Sequence, residues 1–270
     1  MFNKHTLAAA AAAIALSQTP AAAQADNHLK LHVNPRWEEC SFQLDPSLTQ
    51  AAWRQFTREA GLVSYFRPLA AARPMGRGKF EVSMVQWQTN IDDSAPAWND
   101  TFVHPDSMHW LFEGKGLKFP GLMARVGVAA KTDVAVYLTK NPGANYGFYG
   151  AQVQQNLVDD ASRGWSASAR ASFIKIYGPE DLDFTTYGAD VVASKRLTIT
   201  KWISVSPYAG VSSYLAISRE KSALVNLSSE QVIGGLAMVG TEVQLSKARL
   251  AVEYDVSRVN SLSLKVGVGR

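Results

Sequence analysis

The chain has a single cysteine, Cys40, among 270 residues, which excludes an internal disulfide and any multi-cysteine metal site. Charge is scarce as well: Asp, Glu, Lys and Arg together make up 19%, under the roughly 25% usual for soluble domains. No apolar run reaches the about 20 residues that a membrane-crossing helix needs; the run from Leu7 to Leu16 stops well short of it. A polytopic helical membrane protein is therefore excluded, and a hydrophobic content of 47% excludes a disordered chain. No phosphate loop, dinucleotide fingerprint or zinc-protease motif occurs, so no cofactor and no metal is expected. The net charge is only +4, with the basic residues spread along the chain, which argues against a nucleic-acid partner.

What is present begins with Lys4 and His5 ahead of that apolar run, followed by Pro20 and Ala23-Gln24-Ala25. Charge, apolar core and small-residue site in this order mark a secretory signal peptide. Residues 1–25 are expected to be removed and the remainder exported through the periplasm. Cys40 follows Trp37-Glu38-Glu39, unlike a lipoprotein attachment site.

From residue 78 to 270 the pattern is alternation. Trp165, Ala167, Ala169, Ala171 and Phe173 oppose Ser166, Ser168, Arg170 and Ser172; Leu250, Val252, Tyr254 and Val256 oppose Arg249, Ala251, Glu253 and Asp255. Period two means strand. Ten strands are predicted, near 78–89, 121–129, 133–140, 145–157, 164–177, 182–194, 202–217, 231–245, 248–257 and 261–269. The two longest connections, about 90–120 and 218–230, follow the first and seventh strands and so fall at one end, while the connections at the other end are mostly short. An even strand count with long loops at one end and short turns at the other matches an antiparallel up-and-down transmembrane β-barrel, within a range of eight to twelve strands.

Soluble barrels alternate too, so the composition of the two faces matters. One parity is wholly uncharged in the clearest segments, as hydrocarbon requires. The other is mostly Ser, Gly and Ala with occasional charges, and places Arg125, Asp133, Arg170, Asp190, Glu242, Arg249, Glu253, Asp255 and Lys265 in the lumen. Charges confined there must pair, and an interlocked network that leaves no wide pore is expected. Trp165, Tyr177, Trp202 and Tyr254 lie near strand ends and are candidates for interfacial belts; taken singly, ordinary strand packing is the favoured account of each.

Leader and alternating strands together resemble the bacterial outer-membrane β-barrel superfamily, over about two thirds of the chain. The resemblance implies the cell outer membrane as location, its lipid and lipopolysaccharide and the barrel-assembly machinery as partners, and no catalytic residue. The superfamily usually ends on an aromatic; here the last residues are Val268-Gly269-Arg270.

Residues 26–77 form a separate segment. Asp45-Pro46 offers an N-cap and first-turn pair and Gly61 a C-cap, with Leu48, Ala52, Phe56 and Ala60 as one apolar stripe, so a helix over 46–60 is expected, packed as a cap beneath the barrel, with a lumenal plug or a surface-lying membrane helix as the alternatives. Leu29–Val33 and Ser41–Leu44 are candidates for two further strands. In the first long loop His104, Asp106 and His109 stand near Asp92, Asp93, Asp100 and Glu113; their spacing fits no metal loop, and a solvated loop is expected. His104 with Ser107 lacks the paired base and nucleophile of a wall-mounted hydrolase. The expected function is structural, adhesive or narrow-channel and non-enzymatic. A secreted soluble barrel for an apolar ligand and an outer-membrane lipid-modifying enzyme are the alternatives.

Overall fold

The computed structural model describes residues 41–92, 94–103, 117–140 and 145–270. In chain order they form β1 (Ser41–Phe42), α1 (Gln50–Val63), β2 (Phe80–Thr89), α2 (Pro96–Asn99), β3 (Phe102–Val103), β4 (Leu117–Gly127), β5 (Thr132–Lys140), β6 (Gly147–Asp160), β7 (Trp165–Tyr177), β8 (Leu182–Lys195), β9 (Leu197–Thr200), β10 (Ile203–Glu220), β11 (Glu230–Leu245), β12 (Ala248–Val256) and β13 (Ser261–Gly269). The expected leader, Leu29–Val33, Asp93, His104, Asp106, Ser107, His109 and Glu113 lie outside the described residues.

Ten strands, β2, β4 to β8 and β10 to β13, make a closed antiparallel barrel in which each neighbour is the next long strand in the chain. Closure comes from β13 pairing back onto β2, with Leu264 opposite Gln86 and Ser261 opposite Thr89. The short β9 adds only to the start of β10, across a register shift. Ser41–Phe42 does become a strand, but it pairs with Phe102–Val103 in a separate two-stranded ladder and leaves the barrel at ten.

Parity determines which face each residue takes. On β12, Ala251, Glu253 and Asp255 are buried, and Leu250, Val252, Tyr254 and Val256 are exposed. On β13, Ser261, Ser263 and Lys265 are buried, and Leu262, Val266 and Val268 are exposed. The barrel thus turns its apolar side chains outward and its polar ones inward.

The N-terminal segment corrects the sequence reading in two respects. First, the helix starts later and runs further. Asp45 makes a turn instead of a cap, its carboxylate accepting from the Ser47 amide at 2.8 Å and the Ser47 hydroxyl at 2.6 Å. Thr49 caps α1, its hydroxyl accepting from the Ala52 amide. Gly61 lies within the helix, because it faces the wall so closely that a Cβ there would sit 2.6 Å from Tyr214 Cε2. Second, the favoured cap beneath the barrel gives way to the alternative of a lumenal plug: the segment runs through the lumen. Near its start the Phe42 amide donates to Asn145 and Gln50 to Glu230, both at the long-loop end. Further on, Ala72 is held by Ser194, Gln154 and Asn156, and the Met75 amide donates to Asp133 at the short-turn end. Gly76 and Gly78, at φ +87° and +78°, then reverse the chain into β2; that backbone region strains any residue with a Cβ.

The interior is layered along this path. At the long-loop end it is an aromatic core in which Phe56 meets Phe42, Trp53, Trp98 and Phe184 at ring centroid distances of 5.1 to 6.2 Å. The expectation of small polar residues throughout the lumen fails in this layer, because α1 brings an apolar stripe for the wall to match.

Candidate functional site

Below the aromatic layer lies a buried ionic network built between barrel wall and threaded segment. Arg125, Arg170, Asp190, Glu242, Glu253 and Asp255 are all buried there, and Arg249 is partly so. Alternation explains their placement: each occupies the inward parity of a strand, where its neighbours on either side face out.

The network falls into local sets. Arg170 on β7 and Asp190 on β8 are direct cross-strand partners joined by a salt bridge with both side chains fully buried. Asp190 also accepts from the Tyr65 hydroxyl at 2.8 Å, so the threaded segment completes a wall pair. Asp255 on β12 binds Arg67 Nε at 2.5 Å. The same guanidinium donates to the Leu62 carbonyl at 2.7 Å and the Tyr65 carbonyl at 3.1 Å, and it stacks 5.4 Å from the Trp87 ring. Arg67 therefore ties the last carbonyls of α1, where the helix dipole is negative, to the wall. Arg125 binds Asp133 at 2.5 Å, and Asp133 also accepts from the Met75 amide. Nearer the short-turn end, Lys265 reaches Glu81 at 2.7 Å and Glu242 at 3.4 Å, while Arg249 reaches the same two carboxylates at 3.5 and 3.4 Å. Glu253 accepts from the Tyr208 hydroxyl at 2.9 Å.

Arg170, Arg249, Glu253 and Asp255 make no salt bridge with one another among the described residues: Arg170 pairs along the wall, Asp255 pairs with the threaded segment, and Arg249 pairs with Glu81 and Glu242. Glu253 Oε1 and Asp255 Oδ1 carry no hydrogen bond among the described residues. Two members were missed in the sequence. Glu81 shares the inward parity of β2 with Ser83, Val85 and Trp87, a signal that was available. Arg67 sits in a stretch with no period, so nothing in the pattern pointed to it. In the first long loop, Asp92 is engaged with Ser94, and Asp100 ends α2.

This arrangement locks a peptide segment inside a barrel. Where a pair is unshared, as Arg67 with Asp255, truncating one partner leaves the other buried and unpaired.

No family model matches the sequence, and no curated protein is significantly similar to it. Among solved structures, the chain is similar to Ail, the attachment invasion locus protein of Yersinia pestis, at 14% identity and a TM-score of 0.31, over 72% of this chain and 99% of that one. It is similar to the N-terminal β-barrel domain of Pseudomonas aeruginosa OprF at 10% identity and 0.32, over 73% and 100%. The β domain of the Bordetella autotransporter BrkA gives 12% identity and 0.43, over 72% and 98%. The likeness is one of barrel architecture, and no residue role passes from these proteins to this chain.

Proposed function

We propose that the chain is an exported outer-membrane β-barrel, occluded by its own N-terminal segment, with a structural or adhesive role and no catalytic one. The observation that carries this reading is the inverted surface. Val211, Ile233 and Val268 are 65%, 76% and 62% exposed, and every barrel strand contributes to the same apolar collar while the ionic network is kept inside. Around a soluble monomer such a collar is an aggregation surface; against hydrocarbon it is the favoured arrangement, with charges kept to the lumen.

Two further features support the placement. Exposed aromatics stand at both ends of the collar: Phe80, Trp165 and Trp202 at the short-turn end, Tyr149 and Tyr254 at the other. This is the position of interfacial girdles. The shortest barrel strands have 9 residues, matching the roughly 9–11 that a tilted crossing requires. Lipid and lipopolysaccharide then cover the outer wall, and the barrel-assembly machinery inserts it. The occupied lumen favours a structural or adhesive role over a narrow channel, and leaves no open interior for an apolar ligand.

The test is fractionation followed by electrophysiology. The mature protein should sediment with outer membranes, need detergent for release, and show no steady conductance in planar bilayers. Recovery in a salt-washed soluble periplasmic fraction would overturn the location, and large steady channels would overturn the occlusion.

A further inference from the structure

The ionic network does not fill the lumen completely. At the short-turn end a cavity of about 390 Å³ opens between the end of the threaded segment and the barrel wall. Its charged lining is Arg73, Lys79, Arg196 and Arg249 against Asp159 and Glu242, an excess of two positive charges (four minus two). The acids behind it do not remove the excess, because Glu81 is matched by Lys265 at 2.7 Å.

The cations differ in how far they are already satisfied. Arg249 shares Glu81 and Glu242 with Lys265, and Arg73 lies 3.9 Å from Asp159. Arg196 has no ion pair among the described residues, and its buried Nε has no hydrogen-bond partner there. Its backbone is nonetheless fixed, the Arg196 amide donating to the Gly164 carbonyl at 2.8 Å. Burial, and then the facing Arg73 and Arg249, pull the Arg196 guanidinium below its ordinary value. Three guanidinium groups are thus crowded around one solvent-filled space, a cost that a bound anion would relieve. A guanidinium fork matches the paired oxygens of a phosphate; doubly charged inorganic phosphate equals the excess, and a singly charged phosphodiester headgroup offsets half of it.

We infer that this cavity is a binding site for a phosphate group, carried either by a small soluble phosphate or by a phospholipid headgroup, with Arg196 as its principal donor and Lys79 at its mouth.

The test uses the full mature chain, refolded in zwitterionic detergent and checked for heat-modifiable migration, so its result does not depend on the location proposed above. Inorganic phosphate is titrated calorimetrically at constant ionic strength in chloride. Phosphatidylglycerol is presented separately in nanodiscs, against phosphatidylcholine nanodiscs in which the choline ammonium neutralises the same phosphodiester, with the thermal midpoint as readout. Saturable phosphate binding that Arg196→Gln weakens at least about tenfold upholds the site with a soluble ligand. A midpoint raised only by phosphatidylglycerol, and no longer raised in Arg196→Gln, upholds it with a headgroup. Lys201→Gln removes an exposed cation at the same end and should leave either effect intact. Should Arg196→Gln fail to fold, Lys79→Gln, at an exposed position, carries the comparison. Absence of saturable binding from both sources, or binding unchanged in Arg196→Gln and Lys79→Gln, overturns the inference.

Discussion

At the scale of single residues, the lumen is held by ions that cannot be removed one at a time. Arg67 serves Asp255, the α1 carbonyls and the Trp87 ring together, and it is 1% exposed. Arg67→Ala should therefore lower stability by about 3–5 kcal/mol, the usual cost of stranding a buried charge, measured by urea unfolding in detergent. Adding Asp255→Asn to Arg67→Ala should recover part of that loss. Arg249→Ala should cost less, since Lys265 still reaches both carboxylates that Arg249 serves. Outside the barrel the opposite sensitivity holds. Val211, 65% exposed on β10, should tolerate leucine but lose about 2–4 kcal/mol as Val211→Arg if lipid covers it. If water covers it, the change should stay within about 0.5 kcal/mol. Folding yield into lipid vesicles, read on heat-modifiable gels, separates the two outcomes.

Among the elements, the strands were legible and the path leading into the barrel was not. All ten barrel strands fall where alternation placed them, because a strand with one face on the lumen and the other on the outer surface writes its period directly into the chain. Residues 64–72 carry no period: all are buried, Tyr65, Phe66, Arg67 and Leu69 among them, since a segment inside a barrel meets wall on every side. Periodicity reports a boundary between two environments, and here there is only one. The helix was found but misplaced at both ends. Asp45-Pro46 carries the same residue types as a cap, and Gly61 reads as a terminator although its smallness serves contact with β10. That contact gives a direct test. Gly61→Leu should force α1 off Tyr214 and Ala216, and planar bilayers should then show intermittent conductance that the wild type lacks. Thr49→Ala should cost about 1 kcal/mol through the lost cap alone, with no change in conductance.

For the molecule as a whole, the two ends of the described chain lie at opposite mouths: Phe42 beside Asn145 at the long-loop end, and Arg270 beside Phe80 at the short-turn end. In an outer membrane the long loops should face outward. With Cys40→Ser as background, Ala223→Cys should react with a membrane-impermeant maleimide on intact cells. Ser162→Cys, in the turn after β6, should react only after permeabilisation. The reverse labelling pattern would invert the orientation. The β13 to β2 seam joins the last strand of the chain to the strand that continues directly from the threaded segment through Gly76 and Gly78, so the closing joint of the wall and the fixed end of the thread are one place in the molecule.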